Sequence, residues 1–303
     1  GYIISQRNEI RGSAPSMRHF KRPLTLVRAN LDYPLGEHHG FNLNYNLNRT
    51  GNDRFDDLDR SFTPSNDAVT KHIVGLTYSQ SFFEGKMQNV FFAKDYVNHP
   101  NIRQTDQSSV TGSDKVQGST TKNYVGYGAG VRYMFLDPLA LKVSFEHSVR
   151  LPVARELLGN GTTIYANVAL EPEKSNNLNL SVFGTWHPAT GHTLHYETNG
   201  FLRYVDNYIQ TSVIEKEGML QYVNDPAVHI KGVEGEIRYD WDGRLQFMAN
   251  VSYQDARDQQ KYKEDGKPSA TYDNHVPNRR ATRSATCGSG EIACGSGVRA
   301  NGC

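Results

Sequence analysis

Residues 40–48, GFNLNYNLN, alternate strictly between apolar and amide side chains. Because successive side chains of a strand point to opposite faces, this stretch predicts a strand with one apolar and one polar face. The apolar face holds Phe41, Leu43, Tyr45 and Leu47. The polar face holds Asn42, Asn44, Asn46 and Asn48. Such a strand fits either an antiparallel sheet on a soluble core or a membrane barrel with lipid outside and water inside.

The same period of two recurs along the chain and predicts about ten strands. The clearest are YVGYGAGVRYMF (124–135), LALKVSFEHSV (139–149), NNLNLSVFGTW (176–186) and RLQFMANVSY (244–253). The hydrophobic fraction of 37% and the mean hydropathy of -0.63 are polar for a globular protein of this size. With 17 Tyr and 13 Phe, however, the chain is too aromatic for a disordered one.

The links between these strands alternate between short and long. The short links, rich in turn-forming residues, are 34–39, 84–86, 137–138, 187–192 and 241–243. The long links run to roughly 15–25 residues and lie near 50–69, 98–121, 152–173, 210–226 and from 257 onward. Short turns at one end and long loops at the other are typical of outer-membrane barrels, whereas a soluble sandwich has no reason for this asymmetry.

Aromatic residues near the short turns predict a girdle at the membrane interface. These residues are Tyr33, Phe82, Phe135, Trp186, Tyr196, Tyr239 and Trp241. No stretch approaches the roughly 20 apolar residues of a membrane helix. The net charge of +1 gives no reason to expect a nucleic-acid partner. The start, GYIISQRNEIRG, has no initiator Met and no leader pattern, so we expect either a removed leader or a start inside a longer protein.

Residues 151–279 resemble the C-terminal half of the barrel of TonB-dependent outer-membrane receptors of the Bacteroidetes kind. The resemblance rests on an ordered set of motifs: LPVARELLGNG, NVALEPEKSNNLNLSV, FLRYVDNYIQ, HIKGVEGEIRYDW, VSYQDARD and HVPNR. They follow the order of the family's loop and returning strands. The earlier strands fit the same barrel without distinctive motifs.

This resemblance implies an all-β fold, an antiparallel transmembrane β-barrel, in which residues 1–279 form part of a larger barrel of 22 strands around a plug domain. It implies a location in the outer membrane of a Gram-negative bacterium, with membrane lipid and an external nutrient as partners. An energy-coupling inner-membrane complex is a partner only if the full-length protein has a plug. The sequence shows no plug and no coupling box, so we expect a partial barrel. No catalytic residue, cofactor or metal is implied.

The last residues, 280–303, depart from the family. They read RATRSATCGSGEIACGSGVRANGC, without aromatic residues or alternation. Because these residue types share GC-rich codons, we predict a frameshift near Arg279 and Arg280 and a frameshifted or disordered tail. The alternative, a metal bound by Cys287, Cys294 and Cys303, lacks the close ligand pairs of zinc sites.

Glu234 and Glu236 in GVEGEIRY fall on one face, as a glycosidase pair would. The plainer interpretation places both carboxylates in the wet interior beside Arg238, with Val233, Ile237 and Tyr239 facing lipid. No apolar pocket is predicted to raise the pKa of either carboxyl. The sequence therefore favours a solvated ion pair over catalysis.

An acidic segment and two histidine pairs are the remaining candidates. Residues 52–67 could bind calcium through Asp53, Asp56, Asp57, Asp59 and Asp67. Arg54, Arg60 and the absence of a twelve-residue calcium loop favour a solvated loop instead. His38 with His39 and His192 with His195 could bind haem or metal. Both pairs lie at or next to predicted short turns, on the periplasmic side, which disfavours capture of an external ligand.

Three functions remain to be weighed. The leading one is a receptor whose long loops capture a nutrient, such as a siderophore, haem or an oligosaccharide, and whose interior passes it inward. The alternative is a non-transporting barrel that acts as an adhesin or a structural protein. A membrane-embedded hydrolase would need a nucleophile and a base that converge, and the sequence offers no such group.

Overall fold

The computed structural model describes residues 2–11, 14–56, 65–105, 115–119, 121–159, 164–214, 219–259, 283–289 and 292–295. The elements are β1 (Tyr2–Arg11), β2 (Ala14–Leu35), β3 (His39–Asp56), β4 (Ser65–Phe82), β5 (Met87–Thr105), β6 (Lys115–Ser119), β7 (Lys122–Leu136), β8 (Leu139–Arg150), α1 (Ala154–Leu158), β9 (Ile164–Tyr165), β10 (Glu173–Ala189), β11 (His192–Ile214), β12 (Met219–Trp241), β13 (Leu245–Asp258), β14 (Arg283–Ser289) and β15 (Ile292–Gly295).

All these strands belong to one sheet in which long strands that follow each other in the chain are neighbours. The order is β1-β2-β3-β4-β5-β7-β8-β10-β11-β12-β13-β14-β15, with β6 beside β5 and β9 beside β12. Every ladder is antiparallel except the short one between β9 and β12. The predicted all-β antiparallel fold is confirmed. The sequence predicted about ten strands, and the structure has ten long ones among the described residues: β2–β5, β7, β8 and β10–β13. In the described part of the chain no helix is long and apolar enough to cross a membrane.

The short turns lie where the sequence predicted them, and we call their side of the sheet the turn end. They are 36–38, 83–86, 137–138, 190–191 and 242–244. Gly191 at φ 77° and Gly243 at φ 69° take left-handed conformations that a side chain disfavours. Because consecutive antiparallel strands reverse direction, all five turns fall at the same end of the sheet.

At the opposite side, which we call the loop end, the strands are longer than predicted. β11 and β12 stay paired from His192 with Trp241 to Ile214 with Met219. β3 and β4 pair out to Arg54 with Ser65. The predicted long irregular links at 50–69 and 210–226 are therefore largely strand. The reason is that an antiparallel ladder can continue into water, since each added pair satisfies further backbone groups.

One face of the sheet is apolar across its long strands. A cross-strand row from β7 to β13 runs through Val131, Val143, Leu180, Gly200, Val233 and Tyr253. Leu180 is 49% exposed and Val233 is 45% exposed, although both lie within the sheet. An apolar surface of this extent left open by the chain is typical of a face that meets lipid.

The sheet curls, and α1 shows this directly. α1 contacts both β4 and β12, which are separated by six inter-strand steps in the sheet order. Six steps span about 29 Å along the sheet, at about 4.8 Å per step. A helix with its side chains is only about 10–12 Å across. One short helix can therefore touch both strands only if the sheet bends around it, so the polar face is concave.

A charge on the apolar face should destabilise the barrel. Val143 lies midway along β8 on that face, so Val143→Arg should cost about 2–4 kcal/mol of unfolding free energy in a bilayer. Ser144→Arg, one residue along on the polar face, is the matched control and should cost little. Urea titration of tryptophan fluorescence in lipid vesicles measures both. Equal costs for the two variants would contradict the assignment of the faces.

At the loop end, Asp225 on β12 lies in a buried acidic pair. It is 8% exposed and accepts a hydrogen bond of 2.9 Å from Gln210 Nε2. Burial, and then repulsion by the nearby Asp258 carboxylate, raises the pKa of Asp225 to about 6. Asp225 lies four positions before His229, on the side away from the membrane, and His229 lies at the edge of the apolar face. This carboxyl therefore lies outside the membrane.

Asp225→Asn should stabilise the barrel at neutral pH. Folding raises the pKa of this carboxyl, so the folded protein favours its protonated form. The contribution of this preference to stability is full below a pH of about 4 and is lost as the pH rises to about 6. The free energy of unfolding of the wild type should therefore fall over this range, and that of Asp225→Asn should fall less. At pH 7 we expect a gain of about 1–2 kcal/mol. Urea titrations from pH 4 to pH 7 measure it, and exposed Asp206→Asn is the control. Parallel profiles for wild type and Asp225→Asn would contradict the prediction.

Candidate functional site

The asparagine side chains of β3 lie on the concave polar face, as predicted. Asn42 Nδ2 donates to Asn30 Oδ1 at 2.7 Å and to Asp32 Oδ1 at 2.6 Å, both on β2. Asn44 Nδ2 donates to Asn42 Oδ1 at 3.3 Å. The amide groups thus bond to one another and to the Asp32 carboxylate. Asn46 Oδ1 is buried and accepts no bond from the described part of the chain.

Glu234 and Glu236 also lie on the polar face, and the structure pairs them with polar groups. Arg238 Nε donates to Glu236 Oε1, and Ser252 Oγ donates to Glu234 Oε1 at 3.4 Å. Glu236 lies directly across the ladder from Glu197. The bond between Arg238 and Glu236 fits the predicted solvated ion pair.

A cavity of about 360 Å³ opens on the polar face near the turn end. Its lining includes Arg132, Phe183, His195, Glu197, Glu236 and Arg238. Arg132 lies over the Phe183 ring at 5.2 Å and donates to Gln88 Oε1 at 3.2 Å. Cations and carboxylates alternate on this surface, so it suits contact with polar protein or solute and carries no single charge.

The histidine candidates are divided between the two faces. His39 Nδ1 and Tyr78 Oη are 2.9 Å apart, and His192 Nδ1 and Tyr239 Oη are 2.5 Å apart. Both histidines lie on the apolar face among the girdle aromatics, and His192 also stacks on Trp241 with ring centroids 5.7 Å apart. The other two members do not join them: His38 is in a turn, and His195 lines the polar cavity. Neither pair converges on a common ligand.

A second row of tyrosine–histidine pairs marks the opposite edge of the apolar face. The pairs are Tyr45 with His72, Tyr127 with His147, and Tyr204 with His229. This row was not predicted from the sequence, because its members lie away from the short turns. The signal available in the sequence was an aromatic residue on the apolar side of the alternation, six to ten residues along the strand from the girdle aromatics near the short turns. The two rows bound the apolar face as membrane-interface girdles do.

The acidic segment and the cysteines do not form a described metal site. Asp67 is buried and pairs across the ladder with Asn52, because β3 and β4 extend through the predicted loop. Asp57 and Asp59 lie outside the described residues, as does Cys303. Cys287 on β14 is the ladder partner of Cys294 on β15. Within the described ranges, no group of three His, Cys, Asp or Glu side chains could hold a metal ion.

The concave face is crossed at the loop end by a segment that we call the strap, residues 151–159 and 164–171. Leu157 and Leu158 of α1 are 1% and 3% exposed. They belong to one apolar cluster with Val69 on β4, Ile102 on β5 and Ile209 on β11. The strap therefore fills the inside of the curl and links its two sides.

Three charged side chains, which we call the Arg150 network, hold the base of the strap. Arg150 Nη1 donates to Glu156 Oε1 and Oε2 at 3.0 and 3.1 Å. Arg150 Nε and Nη2 donate to the two oxygens of Glu173 at 2.7 and 2.9 Å. Glu156 also accepts from the Val153 backbone N–H at 2.8 Å. One guanidinium thus joins β8, α1 and β10, a geometry that a planar fork of donors favours.

The sequence did not predict this network, although its three residues lie in or beside recognised motifs. Arg150, Glu156 and Glu173 fall in or beside the motifs LPVARELLGNG and NVALEPEKSNNLNLSV. The motifs supported a family resemblance, but they gave no indication that the three side chains meet. Their separation along the chain is bridged only by the pairing of β8 with β10.

Gly159→Ala should loosen the strap. Gly159 has φ 66° and ψ -164°, a combination that essentially only glycine adopts. An added Cβ would lie 2.3 Å from the Ile164 carbonyl oxygen. The strain should cost about 1–3 kcal/mol and speed trypsin cleavage after exposed Arg155, which mass spectrometry of the intact protein follows.

The control for this change is Gly130→Ala on β7. Its added Cβ would meet Ser144 Cβ at 3.5 Å, an ordinary contact. Cleavage after Arg155 should then stay at the wild-type rate. If Gly159→Ala also left that rate unchanged, the close approach at Gly159 would not hold the strap.

Solved structures of transport proteins are similar to this chain. The copper transporter OprC superposes with a TM-score of 0.71 at 13% identity, over 96% of this chain and 46% of that one. The Serratia marcescens hemophore receptor HasR, a double mutant with its hemophore HasA and heme, gives 0.63 at 16%, over 95% and 52%. The FrpB iron transporter of Neisseria meningitidis (F3-3 variant) gives 0.59 at 14%, over 90% and 40%. Likeness at these identities shows the fold, and this chain spans about half the length of those chains.

A search of curated proteins found no match. A family model nevertheless matches the sequence. The family described as TonB dependent receptor-like, beta-barrel, matches residues 5–286, which extends past the predicted frameshift at Arg279 and Arg280. Members of this family are transport receptors of the Gram-negative outer membrane, not enzymes. With its lipid-facing exterior, polar concave interior and matched sequence, this chain belongs to the TonB-dependent receptors and forms part of their β-barrel.

Proposed function

We propose that this chain is part of the wall of a receptor that binds an external nutrient and passes it inward across the outer membrane. The observation that supports this function is the curled sheet with an apolar outside and a hydrogen-bonded polar inside, in a chain of this family. A polar concave surface offers a wet path through lipid, and an apolar outside keeps the barrel in the membrane.

The energy source and the lineage belong to the same proposal. Since the chain spans about half the length of the solved relatives, we propose that the complete receptor also contains a plug and couples to an inner-membrane complex. The ordered motifs of residues 151–279 favour a receptor of the Bacteroidetes kind. We further propose that residues 1–279 are the barrel portion and that residues 280–303 are a frameshifted or disordered tail. The pairing of β14 with β13 and of β15 with β14 argues against disorder, so a frameshifted tail is the favoured form of this proposal.

The nutrient is proposed only as a class: a scarce solute such as a siderophore, haem or an oligosaccharide. The similar solved structures are those of a copper transporter, a hemophore receptor in complex with its hemophore and heme, and an iron transporter. His39 and His192 do not support haem capture, because each bonds a tyrosine on the lipid-facing side. The mixed charges of the polar cavity select neither anions nor cations.

Deletion of the gene should abolish growth on one limiting nutrient. The test compares the deletion strain with a complemented strain on ferric citrate, haemin, copper or a complex glycan, each supplied as the single limiting source. Labelled uptake should be lost for one source, and a protonophore should stop uptake but not surface binding in the complemented strain. Normal growth on every source with weaker attachment to surfaces would overturn the proposal and support the adhesin.

A further inference from the structure

We propose that the strap is a fixed part of the barrel wall and is held in place by Arg150. In the receptor with no solute bound, the strap narrows the loop end of the interior. The proposal rests on the proposed function only for the meaning of that interior as a path. Its structural content, that the strap stays in place, can be tested without any solute. A mobile loop that lifts freely is the alternative.

The first step is the burial of the middle of the strap. Leu157 and Leu158 belong to one buried apolar cluster with side chains from both sides of the curl, Val69 and Ile102 on one side and Ile209 on the other. Leu170 joins the same cluster. Lifting the strap would expose these side chains to water, and the hydrophobic effect opposes this.

The second step is the attachment of the strap at its base. The Arg150 network ties α1 to β8 and β10 through four hydrogen bonds of 2.7–3.1 Å. Glu173 also accepts from the Ile209 backbone N–H at 2.8 Å. Lys71 Nζ on β4 donates to the Leu151 carbonyl at 3.3 Å. The base of the strap is thus bonded directly to β8 and β4, and Arg150 and Glu173 connect it further to β10 and β11.

The third step is the attachment of its far part to β12. Ile164 and Tyr165 pair in parallel with Leu220 and Gln221. Asn224 accepts from the Glu171 backbone N–H and donates to the Glu171 carbonyl, both at 2.9 Å. Two further bonds of 2.8 and 2.9 Å join Asn167 Nδ2 to the Tyr222 carbonyl and Gln221 Nε2 to the Ala166 carbonyl.

Fixed at both ends and buried in the middle, the strap occupies the inside of the curl at all times. The wall around it comprises β4, β5, β11 and β12, which provide its contacts. Any solute that travels along the polar face must pass beside the strap. The strap therefore sets the width of the entrance in addition to whatever a plug contributes.

Thiol reactivity tests whether the strap stays in place. In the full receptor with its native cysteines replaced by serine, Leu158→Cys is the buried reporter and Arg155→Cys the exposed reporter on the same helix. The probe is N-ethylmaleimide, applied to receptor in outer-membrane vesicles. We expect the Leu158→Cys thiol to react about 100-fold more slowly than the Arg155→Cys thiol, because reaction requires local opening. Leu157→Cys is a second buried reporter and should behave alike.

The role of Arg150 is tested in the same reporters. Arg150→Ala should speed the reaction of the Leu158→Cys thiol about tenfold, because two carboxylates lose their shared donor. Arg150→Lys should fall between, since an ammonium keeps the charge without the fork. Arg238→Ala, which removes an ion pair at the turn end, is the matched control and should leave the rate unchanged.

Equal rates for the buried and exposed reporters would overturn the proposal, because they would show a strap that lifts freely. Unchanged protection in Arg150→Ala would overturn the role of Arg150. The comparison of buried and exposed reporters is made with Arg150 unchanged, so it remains valid even if Arg150→Ala does not insert into the membrane. In that case Arg150→Lys tests the Arg150 network. If the uptake test shows no imported nutrient while the Leu158→Cys thiol still reacts slowly, the proposed function is refuted and the strap proposal stands.

Discussion

The structure depends on the register of its antiparallel ladders. Side chains alternate with a period of two, so a slip of one residue in any ladder would bring polar residues to the lipid face. From Leu43 opposite Leu76 on β3 and β4 to Val233 opposite Tyr253 on β12 and β13, apolar side chains meet apolar or small ones. The same ladders satisfy the backbone groups that lipid cannot. Register thus supplies both the apolar exterior and the polar interior.

The loop end follows a different rule. There the strands continue beyond the Tyr–His row, and apolar side chains such as Val69 and Ile209 turn inward to meet the strap. The hydrophobic effect, which cannot hold a lipid-exposed surface together, operates here because water is excluded between strap and wall. The barrel thus combines a membrane part held by backbone bonds with a small packed core around α1. That core lies at the loop end of the interior.

Candidate residues changed meaning once their neighbours were known. His39 and His192, candidates for haem, bond tyrosines at the membrane edge. Glu236, a candidate acid, pairs with Arg238 on a solvated face. Conversely, Arg150 carried no prediction by itself, yet it joins β8, α1 and β10 at the loop end. A residue type at a given position indicates what chemistry is available, whereas its partners decide which chemistry is used.

The sequence by itself determined the strand periodicity, the five short turns, the two faces and the family resemblance, because all of these depend on residues near one another in the chain. Strand length at the loop end could not be predicted, since a polar segment such as 210–226 forms either loop or ladder according to its partner strand. The strap was also beyond the sequence, because Leu157 meets Val69 and Ile209 only after the sheet has curled. Contacts between distant strands, and the burial they create, were decided by the tertiary structure alone.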